Sequence, residues 1–192
     1  NPTTCNGNDG TITISGLAPN TSYNFGYTFT IPNPPSSYIA DNNGQIVITG
    51  LTAGSYSNFN LNINGCNMPN TTTIVLVDPT PPAVSVSNVT VCETTPATVT
   101  AVPSGTSAYT YTWTVPSGAT NPGNVASFDA TVSGSYTVQI VDTVTNCTSN
   151  SATAQVTINP LQIPAFTQIA PLCLNAAAPS LPSASSNGVT GT

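Results

Sequence analysis

"GSYTVQIVDTVTNC", residues 134–147, places Tyr136, Val138 and Ile140 on one side of an extended chain and Thr137 and Gln139 on the other. That period of two is the mark of a half-buried strand. The same alternation recurs upstream in "AVSVSNVTV", "ATVTAV", "YTYTWTV" and "VASF", and downstream in "SATAQVTI". In "YTYTWTV", Tyr109, Tyr111 and Trp113 share one face; this strand and the 134–142 strand are expected to form the two halves of a sandwich core. A charge at Val138 is expected to unfold the unit, because burying each of these side chains is worth roughly 1.5–3 kcal/mol.

Residues 1–79 repeat the pattern. "DGTITISGL" alternates Ile12 and Ile14, "TSYNFGYTFTI" alternates Tyr23, Phe25, Tyr27 and Phe29, "GQIVITGLTAGSYSNFNLNING" holds two strands about a glycine turn, and "TTTIVLVD" closes the unit. The four aromatics read as a core face, with an exposed carbohydrate platform as the competing reading. Prolines 79, 81 and 82 cannot join a central ladder and mark a junction, and "INPLQIPAF" marks another. The chain is therefore divided into a first β-sandwich repeat at 1–79, a second sandwich at 80–160 and the incomplete start of a further module at 161–192. The fold class is all-β, with tandem immunoglobulin-like sandwiches in an elongated arrangement.

Composition narrows the function. The chain has no Lys, Arg or His and a net charge of −6, while 39% of it is hydrophobic, so it can build cores but cannot track phosphates. Nucleic acid is excluded, and no segment approaches the roughly 20 apolar residues needed for direct membrane insertion. With no imidazole or amine to act as base, activated serine and cysteine mechanisms are disfavoured. The carboxylates Asp9, Asp41, Asp78, Glu93, Asp129 and Asp142 show no local spacing that pairs them for glycoside hydrolysis. The chain reads as a non-enzyme. Proteases that need a cationic residue find no cleavage site in it.

Cysteines stand at 5, 66, 92, 147 and 173, far apart and without a Cys-x-x-Cys. That spacing argues against zinc and for disulfides formed in an oxidising compartment. Local pairing suggests Cys5 with Cys66 and Cys92 with Cys147, each link staying inside its module and each worth about 4 kcal/mol in chain entropy. Cys173 is left free, intermolecular, or paired beyond the chain, and other connectivities stay open. The order Cys92, Trp113, Cys147 resembles the immunoglobulin pattern, although Thr145 stands where that pattern has tyrosine and Tyr136 lies eleven residues before Cys147. No cofactor is expected. Asp9 in "NGNDG", Asp41 in "ADNNG" and Asp78 at the junction are the calcium candidates, but ordinary Asx and glycine turns explain the first two and no EF-hand pattern is present. Asn20, Asn70, Asn88 and Asn146 open Asn-x-Ser/Thr triplets.

The chain resembles the large repetitive surface adhesins of gliding Bacteroidota, SprB-like proteins. "NPTTCNGNDGTITISGL" and "ITGLTAGSYSNFNLNINGC" carry the resemblance in the first module, and "YTYTWTVPSGATNPG" with "ASFDATVSGSYTVQIVDTVTNCTS" is similar to the companion immunoglobulin-like or PKD-like module. "PAFTQIAPLCLNAAAPSLPSASSNGVTGT" resembles the opening of a further one, which would place the partner of Cys173 downstream. The resemblance implies an extracellular, secreted, cell-surface protein exported by type IX secretion and linked to gliding motility. It also implies an O-linked glycan acceptor at "DTV", with Thr143 as the modified residue. The expected function is a structural or adhesive segment of a surface protein or filament. Its partners would be neighbouring modules, and surface glycans or other copies of the chain. The alternative is a glycan-binding accessory region of a secreted hydrolase.

Overall fold

The computed structural model describes residues 1–30, 32–168, 171–180 and 184–189. Seven strands precede the proline-rich stretch at 79–82: β1 (Gly10–Ile14), β2 (Ser22–Thr28), β3 (Pro32–Ile39), β4 (Ile46–Leu51), β5 (Gly54–Ile63), β6 (Cys66–Asn70) and β7 (Ile74–Leu76). β1 pairs with β4 in one sheet, and the order β3-β2-β5-β6 makes the other, with β7 pairing the first residues of β5. Between them lies one buried cluster containing Ile12, Tyr23, Phe25, Ile46, Ile48, Tyr56, Phe59 and Leu76. Tyr27 and Phe29 pack against it, so the aromatic alternation of β2 serves the core rather than a carbohydrate platform.

β3 and β6 are strands that the alternation did not announce. Among the described residues β3 pairs with β2 and runs along a sheet edge, the place in a sheet where proline is tolerated. β6 is fully exposed, short and polar, so it has no apolar face to read. Its signal was the Asn64-Gly65 turn, with φ of 49° and 85°, the two-residue hairpin that favours this dipeptide.

Seven more strands follow: β8 (Val84–Val86), β9 (Val89–Cys92), β10 (Ala97–Pro103), β11 (Tyr109–Thr114), β12 (Ser127–Ala130), β13 (Gly134–Asp142) and β14 (Ala152–Asn159). They form sheets β12-β10-β8 and β11-β13-β14-β9, in which β9 runs parallel to β14 and every other pair is antiparallel. This is an immunoglobulin-like sandwich whose opening strand splits between the two sheets. β11 and β13 do not face each other as expected. They are hydrogen-bonded neighbours, Trp113 opposite Val138 and Tyr111 opposite Ile140, and the opposing half of the core comes from Ala97, Val99 and Ala101 of β10. Two strands can share a buried face in either arrangement, so alternation alone does not separate them.

Trp113 is buried edge-on to Phe128, at 4.9 Å between ring centroids, and its indole N–H donates to the Val125 carbonyl at 2.9 Å. The Tyr136 hydroxyl donates to the Val132 carbonyl four residues upstream at 2.8 Å. This is the tyrosine corner of immunoglobulin folds, in which a cysteine stands two residues on. Here that position is Val138, which with Val99 is wholly buried and fills the core without a link between its sheets.

The accessible surface, 12065 Å², exceeds the roughly 8,500 Å² expected of a compact monomer of 19.4 kDa. Two small cores and an exposed C-terminal stretch account for the excess. Among the described residues of 161–189 there is no strand, and Leu161, Ile163, Phe166, Leu172 and Leu174 are exposed.

The module junction as candidate functional site

One disulfide is formed, and it is neither of the expected ones: Cys5 is bonded to Cys147 across 142 residues, with 5.0 Å between their α-carbons. Cys66, Cys92 and Cys173 are exposed thiols. The pairings Cys5–Cys66 and Cys92–Cys147 fail for a geometric reason. In the first sandwich Cys66 follows the last residue of β5, pairing with Ile63, whereas Cys5 lies by Pro79, beyond the β7 strand that pairs the first residues of β5. A strand of ten residues at about 3.3 Å per residue separates those ends by about 30 Å. In the second sandwich Cys92 pairs with Asn159 beyond the first residues of β13, while the turn holding Cys147 leaves its last residue, Asp142. Neither gap can be bridged by a bond that needs α-carbons within about 7 Å.

The disulfide is seated by both modules. On the first, residues 4–7 form a tight turn in which Gly7 N–H donates to the Thr4 carbonyl at 3.0 Å and Asn6 adopts φ 58°. On the second, Asp142 accepts the N–H groups of Val144 at 2.8 Å and Thr145 at 3.1 Å, shaping the turn that presents Cys147. Those bonds, from Thr145 first and Val144 next, hold the Asp142 carboxyl below its ordinary value. Cys5 N–H then donates to the Thr145 carbonyl at 2.8 Å, and both half-cystine sulfurs lie 3.5 Å from the Pro79 carbonyl. Asn6 N–H reaches the Asp78 carboxylate at 3.1 Å. Linker, first-module corner and second-module turn thus meet around one bond.

The calcium candidates are not brought together. Asp9 accepts both the N–H and the hydroxyl of Thr3, which lower its pKa. Asp41 accepts the N–H groups of Asn43 and Gln45, each at 2.8 Å, as an Asx turn does. Asp78 stands at the junction with its second carboxylate oxygen buried and unpartnered. Among the described residues no three Cys, Asp or Glu side chains converge. Thr143 is exposed, and its hydroxyl donates to the Ala108 carbonyl at 3.0 Å.

No family model and no curated protein matches the chain. Solved structures that it is similar to include the N-terminal four Ig domains of Dscam1 isoform 9.44, at 13% identity and a TM-score of 0.33, over 80% of this chain and 42% of that one. Sidekick-1 immunoglobulin domains 1–5 align at 16% identity and a TM-score of 0.32, over 82% and 38%. The chain spans about two-fifths of the length of these two. Its own strand order defines a tandem pair of immunoglobulin-like β-sandwiches.

Proposed function

We propose that the chain is a structural or adhesive segment of an extracellular, multi-domain surface protein or filament. The observation that carries this reading is the Cys5–Cys147 bond. A disulfide between two separately cored sandwiches persists in an oxidising compartment, and it converts a semi-rigid proline linker into a joint of fixed orientation. Fixed joints let a string of modules hold reach and direction. A surface of threonine, serine and asparagine without cations keeps such a string hydrated and beyond the reach of cation-directed proteases. The resemblance to SprB-like adhesins supports the finer reading, in which the segment leaves the cell by type IX secretion and serves gliding motility.

Electron microscopy of native cell-surface material, labelled with an antibody against residues 80–160, tests this. Label at regular spacing along extended fibres is expected. Compact soluble particles without fibres would overturn the reading and make a glycan-binding accessory of a secreted hydrolase the next to test.

A further inference from the structure

The chain that leaves the second sandwich repeats the chain that entered it. Asp78-Pro79 follows β7 and Asn159-Pro160 closes β14; Cys92 stands 13 residues after Pro79, and Cys173 stands 13 after Pro160. Residues 160–173 thus carry the spacing with which residues 79–92 begin the second sandwich. The corner that the chain leaves also matches the one at the first junction. Cys5 lies five residues before β1, and Cys92 lies five before β10; β1 and β10 hold equivalent places, each pairing antiparallel with the strand before a Gly-Ser-Tyr strand. Asn6 N–H bonds the carboxylate of Asp78, which precedes Pro79, at 3.1 Å. Glu93 N–H bonds the carbonyl of Asn159, which precedes Pro160, at 2.9 Å, and its carboxylate accepts Leu161 N–H at 3.1 Å.

The Cys5 corner holds the turn after β13 of the sandwich that follows it, through Cys147, which stands 68 residues after Pro79. The Cys92 corner presents an exposed thiol at the same place, and Leu161 leads the chain onward from it. We propose that the chain running on from Pro160 builds a further sandwich, and that Cys92 forms with it a second inter-module disulfide of the Cys5–Cys147 design. The partner is a cysteine in that sandwich's equivalent turn, about 68 residues beyond Pro160, the spacing of Cys147 from Pro79. Cys173, in the register of Cys92, is the corner cysteine of the further sandwich and not the partner. The inference draws on the oxidising extracellular setting proposed above and not on adhesion. Oxidation needs a low-molecular-weight disulfide such as oxidised glutathione. The Cys92 thiolate attacks it and releases one glutathione; the thiolate of the incoming turn then attacks the Cys92 sulfur of the mixed disulfide and releases the second. Two protein thiols lose two electrons and two protons, and the glutathione disulfide becomes two thiols.

The test maps disulfides in the native protein, with free thiols alkylated on isolation. Cutting before aspartate and after aromatic residues puts Cys5, Cys66, Cys92, Cys147 and Cys173 on separate peptides. The Cys92 peptide is expected joined to one from the further sandwich, alongside the Cys5–Cys147 pair, and non-reducing electrophoresis is expected to show a single chain. Cys92→Ser should add one alkylatable thiol, that of the abandoned partner, and leave Cys5–Cys147 intact. Alkylated Cys92 beside an intact Cys5–Cys147 bond, a bond from Cys92 to Cys66 or Cys173, or a covalent multimer through Cys92 would overturn the inference. A chain that builds no cysteine-bearing sandwich beyond Pro160 would overturn it as well. Labelled fibres on cells alongside such a failure would leave the adhesin reading standing, whereas alkylation of Cys5 and Cys147 too would remove the oxidising setting from under both.

Discussion

In the first sandwich β1 pairs with β4 alone among the described residues, and the closing strand is broken into β6 and β7; in the second, β8 adds to β10 and β9 adds to β14. Their cores differ as well. The first is aromatic, with Phe25 stacked on Phe59 at 5.9 Å and Phe29 on Tyr56 at 4.7 Å, whereas the second centres on Val99, Val138 and Ile140 beside one tryptophan. What they share is a corner. Gly54-Ser55-Tyr56 and Gly134-Ser135-Tyr136 each begin with a glycine at φ 148°, and each tyrosine donates to the carbonyl four residues upstream, Thr52 or Val132, at 2.8 Å. Core filling varies between these modules while the corner geometry does not, because the corner must place a buried hydroxyl on a carbonyl.

The largest effect is expected from Val138→Asp, which buries an unpaired carboxylate and should cost more than about 4 kcal/mol. Trp113 lies in the second sandwich, so its fluorescence should lose the folded signature while tyrosine near-ultraviolet dichroism of the first sandwich persists. Loss of both together would show that the two cores fold as one unit. Cys147→Ser removes the staple and is expected to lower the unfolding free energy from denaturant titration by about 2–4 kcal/mol. The same variant should broaden the distance distribution in small-angle scattering as the joint becomes a hinge; an unchanged distribution would assign the joint's rigidity to the linker.

Alanine at the two corner glycines sharpens the comparison further. Both φ values are ones L-residues rarely adopt, a strain of about 1–3 kcal/mol. A Cβ on Gly54 would stand 2.2 Å from the Phe29 ring, against 2.8 Å from Pro116 for Gly134. Gly54→Ala should therefore destabilise its module more than Gly134→Ala does, as read by tyrosine dichroism for one and Trp113 fluorescence for the other; equal losses would mean that the backbone alone decides. The smallest effect concerns acid. The folded Asp142 carboxyl titrates below its ordinary 3.8, so the stability it lends is present above the unfolded value and is lost as pH falls through the lowered one. The melting temperature should fall below about pH 4, and Asp142→Asn should flatten part of that fall.

Much of the fold was legible because burial on one face of a strand writes a period of two into the chain. Ile12, Tyr23, Phe25, Tyr136 and Val138 announced their strands and their buried faces together. β3 and β6 left no such record, one being a proline-bearing edge and the other polar on both faces. The tyrosine corner leaves no cysteine signature in the sequence, because the position two residues after Tyr136 holds Val138 and Cys147 lies eleven residues on.

What the sequence by itself determined is the local part: strand periodicity, the proline break and the acidic, cation-free composition. The pairing of Cys5 with Cys147 was decided only in three dimensions. Residues 5 and 66 are nearer along the chain than 5 and 147, but a β-strand is a rigid spacer, and β5 and β13 each hold their module's two cysteines at opposite ends. Only the end-to-end meeting of the two sandwiches brings Cys5 to Cys147, since separation along a strand adds up in one direction and is never recovered inside the same module.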